Sequence, residues 1–64
     1  MLYMRFQPID PKRWAALSNS IQVAEVTLNQ DGLCAVTPNR SLCREELASV
    51  LDFVADREAK AGRI

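Results

Sequence analysis

The groups on this chain that could do chemistry are two thiols and a set of carboxylates. Cys34 and Cys43 lie nine residues apart, and Glu45, Glu46, Asp52, Asp56 and Glu58 gather towards the carboxyl end. The chain has no histidine. That removes the commonest general base, the commonest metal ligand and the usual switch near neutral pH. Cys43 falls near a helix start, where a thiolate is favoured. Its place on an apolar stripe predicts a buried, inert thiol instead. Asp52 and Asp56 are spaced to share one side of a helix and could bridge a cation. No third ligand joins them, and Lys60 follows Asp56 by four residues, so the pair reads as a solvated face. There is no glycine-rich phosphate loop, no nucleophile elbow and no zinc spacing. The reading assigns no catalytic residue, no metal and no cofactor. The two cysteines are expected as free thiols, since one pair makes no disulfide framework.

The carboxylates sit on the longest periodic segment, Ser41–Ala61, which reads as a helix. At about 100° per residue, Cys43, Leu47, Val50, Leu51 and Val54 share one side. Ser41 is the expected cap, with Asn39 as an alternative. Counted from Ser41, the third residue is Arg44, so a reciprocal capping box is not expected. Glu45 and Glu46 suit the amino end, Lys60 the last turn, and Gly62 the stop. Off the stripe, Leu42 and Phe53 project with Glu46, Ser49 and Arg57. A phenylalanine on that mixed flank is either covered by Trp14 or offered to a partner.

The rest of the chain should supply a sheet beneath this helix. Leu2, Met4 and Phe6 alternate with Tyr3, Arg5 and Gln7, which is a half-buried strand pattern. Pro8 ends it. Asp10 and Pro11 are residues that cap and open a helix. Trp14, Leu17 and Ser18 then fall on one side, so a short helix is expected here. Trp14 is a core anchor or an interface hot spot. Lys12 and Arg13, in its first turn, read as a solvated face. Ile21–Leu28 is rich in branched side chains and reads as a strand. Asn29–Gly32 is a hairpin signal, and Leu33–Thr37 returns before Pro38. Arg5 could pair with Glu25 on the open sheet face.

The expected fold is α+β: one small two-layer domain spanning residues 1–64. Its order is β-α-β-β-α, with a three-stranded, mostly antiparallel sheet under the long C-terminal helix. Sixty-four residues support only a modest core. Eight basic residues balance eight acidic ones. Such a chain has no global field to attract nucleic acid or an anionic membrane. No apolar run approaches a spanning helix, Met1–Phe6 is too short for a signal peptide, and a cytoplasmic location is expected. These features favour a small non-enzymatic protein-binding module: an inhibitor, adaptor or accessory subunit that pairs with a protein partner or forms a homodimer. The interface candidates are Trp14, Leu42, Glu46, Phe53 and Arg57. The sheet-face candidates are Tyr3 and Arg5. The alternative is a small nucleic-acid-associated regulator. A third class is a structural component of a larger assembly.

Overall fold

From Met4 to Pro38 the chain runs up and down as four successive strands, and only then turns helical. The computed structural model describes residues 3–62, so Leu2 of the expected first strand lies outside the described residues. The strands are β1 (Met4–Asp10), β2 (Arg13–Ser18), β3 (Ile21–Leu28) and β4 (Cys34–Pro38), and the helix α1 is Arg44–Lys60. All neighbours are antiparallel, in the order β1-β2-β3-β4. The sheet therefore has four strands, and the three-stranded β-α-β-β-α arrangement expected from sequence is overturned.

The difference lies in Arg13–Ser18, which is a strand and not a helix. Asp10 does not cap a helix. Its Oδ1 accepts the Lys12 amide at 3.0 Å, closing a tight turn around Pro11 that folds β1 onto β2. Trp14, Ala16 and Ser18 then alternate inward, and all three are buried. The next turn is Asn19–Ser20, a two-residue hairpin loop with Ser18 opposite Ile21. Both of its residues have positive φ, 52° at Asn19 and 73° at Ser20. That is the backbone a right-twisted hairpin wants. Asparagine tolerates it, whereas serine is strained there by about 1 kcal/mol. Ser20→Gly should therefore raise the melting temperature by a few degrees, which a thermal scan reads directly. A lower melting temperature would contradict the left-handed turn.

The register shifts between Ala16 and Leu17, where Val23 is the extra residue on β3. This bulge turns both Val23 and Ala24 into the interior. The core is one cluster of Trp14, Ala16, Val23, Ala24, Val26 and Val50, with Met4, Phe6, Leu42, Phe53 and Val54 packed around it. Small side chains dominate its middle. Ala16 and Ala24 face each other across β2 and β3, and neither has any exposed surface.

Both outer edges of the sheet carry a proline where an amide would face solvent. Asn39 donates to the Val23 carbonyl at 2.7 Å and Asn29 to the Leu33 carbonyl at 2.8 Å. Alternation along the ladder then turns the backbone groups of Cys34, Val36 and Pro38 away from β3. On the other edge, Asn19 donates to the Tyr3 carbonyl at 2.8 Å, so Met4, Phe6 and Pro8 face outward. Pro8 and Pro38 remove one outward donor each.

Candidate interaction surfaces

Helix α1 meets the sheet along Glu46, Val50, Phe53 and Arg57, spaced 4, 3 and 4 residues apart as one helical face requires. Val50 is fully buried, whereas Leu47 and Leu51 are 45% and 55% exposed. The helix is thus rotated from the expected stripe, towards the side that carries Phe53. The reason is that both polar members of the inner line have partners at the ends of the sheet.

Glu46 is only 4% exposed and serves the helix start. The N-cap is Cys43, not Ser41 or Asn39, and its backbone is extended. Counted from Cys43, Glu46 is the third residue, and its Oε1 accepts the Cys43 amide at 3.0 Å. This is the reciprocal contact that a cap at Ser41 would have excluded. The Arg40 guanidinium grips the same carboxylate with two bonds, at 3.0 and 2.8 Å. Arg40, the hydroxyl of Ser18 and the Cys43 amide together hold the Glu46 carboxyl at a pKa of about 2, against an ordinary value of 4.5. The folded pKa lies below the unfolded one. This contribution to stability is therefore complete above about pH 4.5 and is lost as pH falls towards about 2. Glu46→Gln should flatten the acid limb of a stability–pH curve inside that window. An unchanged acid limb would contradict the assignment.

Phe53 is taken up by the protein's own rings. It stacks on Phe6 with centroids 4.1 Å apart and planes 6° apart, and Trp14 meets it edge-on at 5.4 Å. Trp14 is 8% exposed. The Arg57 guanidinium lies 5.3 Å from the Trp14 ring centre and 4.9 Å from that of Phe53. Its Nε is buried with no hydrogen-bond partner, and the Asp56 carboxylate stands off at 3.8 Å. The ring faces supply the attraction that a carboxylate would otherwise give. Three of the expected interface residues, Trp14, Phe53 and Arg57, are thus brought together with Phe6, Trp14 buried and Phe53 and Arg57 half-buried. Leu42 is half-buried against the same core, and Glu46 sits at the opposite end of the helix.

The far end of α1 is tied to the edge strand. Glu58 Oε2 accepts the outward amide of Cys34 at 2.9 Å. Cys34 is half-buried, and Cys43 is exposed; both are free thiols. The expected buried thiol at Cys43 is corrected, because the cap position lies ahead of the face that packs. Burial, and then the Glu58 charge, push the Cys34 thiol up. A maleimide at neutral pH should therefore label Cys43 first and Cys34 at least about tenfold more slowly. Peptide mapping of a timed reaction checks the order.

The open face of the sheet carries Tyr3 and Arg5. With Gln7, Leu17 and Ser20 they line a hollow of about 170 Å³. That is below the usual range for a small-molecule site. The expected Arg5–Glu25 pair is replaced. Glu25 binds Arg13 Nε at 2.9 Å, and Asp10 binds the same guanidinium at 3.4 Å. Arg5 sits opposite Leu17 instead. One tyrosine and one arginine fall short of a stacking platform for bases. Among the described residues, no group of three or more Cys, Asp or Glu side chains is arranged to hold a metal ion. No helix of the described residues is long and apolar enough to cross a membrane.

The surface that sequence reasoning missed is the outer flank of α1. Leu47, Ala48, Leu51 and Ala55 are all exposed and lie on neighbouring turns. Leu33, at the foot of β4, is also exposed. The sequence pattern places both leucines on the apolar stripe, whereas the structure leaves them exposed. Their signal was the second apolar line beside Val50 and Phe53, too many for one face to bury. The chain matches no protein-family model, and comparison with curated proteins and with solved structures gives no significant match.

Proposed function

We propose that this chain is a small protein-binding module of the inhibitor, adaptor or accessory-subunit kind, acting without chemistry of its own. One observation supports the reading above others: Leu47 and Leu51 stand in solvent on a helix whose opposite side is already packed. Adjacent exposed leucines beside alanines form a contiguous apolar strip, and such strips rimmed by charge mark docking surfaces. Arg44, Asp52 and Glu58 supply that rim. Two free thiols suit a reducing compartment, and we place the module in the cytoplasm on that ground.

The test is a paired capture experiment. Immobilised wild-type chain and Leu51→Arg are exposed to the same host extract. A species retained by the first and lost from the second supports the reading. Equal retention on both, with both chains folded by circular dichroism, removes the flank as the binding surface.

A further inference from the structure

We propose that the occupant of the α1 flank is a second copy of this chain, docked about a twofold axis through Leu51 with the two helices antiparallel. The proposal rests on the protein-binding reading and names its partner. Around that axis, positions equally far from Leu51 meet. Leu47 falls on the second copy's Ala55, and Ala48 on its Val54. Large side chains thus meet small ones, as interdigitated helix surfaces require. Arg44 falls on the second copy's Glu58. Arg44 has no ion pair among the described residues, and Glu58 gives only Oε2 to the Cys34 amide. Each such contact occurs twice. Neighbouring registers are worse. Moving the axis half a residue one way sets Leu51 against Val50, which is already fully buried. Moving it the other way sets Glu45 against Glu58 and Leu51 against Asp52.

The sheet edge beneath the flank agrees with this axis. Glu58 fixes the helix to Cys34. From that tie, about 10 Å of helix lead back to Leu51. About 7 Å of strand lead on to Val36. One axis can therefore pass near both residues. Val36 is the outward-facing β4 residue that keeps both backbone groups open, because the Cys34 amide is taken and Pro38 has none. A twofold at Val36 would exchange two backbone hydrogen bonds. The strand edge therefore aligns the copies, and the leucines carry the affinity.

Sedimentation equilibrium over a concentration series tests this on the full chain. Wild type should fit a monomer–dimer equilibrium. Leu51→Arg should weaken it at least about 100-fold, since both copies carry the change at the axis. Arg44→Glu should weaken it about tenfold at low salt and less at high salt. Tyr3→Ser, on the opposite face, should leave it unchanged. A wild-type chain that stays monomeric to about millimolar concentration overturns the proposal. So does a dimer that neither flank variant weakens. A monomer that still captures a foreign species through Leu51 ends self-docking but leaves the protein-binding reading standing. A monomer with no flank-dependent capture ends both.

Discussion

Replacing Phe53 with alanine will destabilise the monomer by about 3 kcal/mol. The ring is the middle of a stack, with Phe6 on its face at 4.1 Å, Trp14 at its edge at 5.4 Å and Arg57 over it at 4.9 Å. Its removal leaves a void and withdraws one of the two rings that hold Arg57, whose Nε has no hydrogen-bond partner. A chain of this length has a total stability on the order of 3–10 kcal/mol. The variant should therefore be largely unfolded or melt far below wild type, as urea titration followed by Trp14 fluorescence would show. The result also separates two roles. A Phe53 that served only as an interface residue would leave the dilute monomer's midpoint unchanged and alter association alone.

The second large effect is expected from adding volume where the sheet is smallest. Ala16 and Ala24 oppose each other in the cluster that contains Val50, and neither has any exposed surface. Ala24→Leu puts three more carbons into a space that is already closed. Over-packing of this kind usually costs about 1–3 kcal/mol, and full burial places this site at the upper end. The helix must lift or the strand must bend. Denaturant titration should show the loss. A drop in amide protection along α1 would show that the helix gives way first. Ala24→Gly tests the same site from the other side, and its smaller penalty would come from the backbone. A neutral Ala24→Leu would mean that α1 does not press on this part of the sheet.

The elements from β3 onward were legible because they follow from local rules. Pro38 closes the last strand, Asn29–Gly32 makes the hairpin, and the apolar period read over Ser41–Ala61 makes the helix, which begins at Arg44. Strand β2 was not legible for a specific reason. Its alanines are good helix formers. Asp10–Pro11 carries a helix-start signature, and Trp14, Leu17 and Ser18 happen to fit a helical spacing. What decides for a strand is tertiary: Ala16 must lie between Phe6 and Ala24 in the ladder. Two alanines also hide the inward–outward alternation, because Ala15 is nearly as buried as Ala16. The rotation of α1 was hidden likewise. Hydrophobicity alone favours turning Leu47 and Leu51 inward. The protein instead turns in Glu46 and Arg57, because Arg40 and the aromatic rings await them. No periodicity count contains those partners. The candidate site was legible only in kind, as spare apolar side chains on the long helix, while the flank that carries them was not.

The prolines on the two margins of the sheet also bear on how far assembly can go. A ribbon with two open sides can in principle recruit chain after chain into a fibril. Pro38 and the Glu58 carboxylate leave one margin room for a single short pairing at Val36, which a twofold partner would use up. Pro8 sits two residues from Phe6 on the other margin, so a newcomer there would leave a carbonyl without a donor. Lateral growth of the sheet is therefore impeded at both margins, which is where bare strands polymerise.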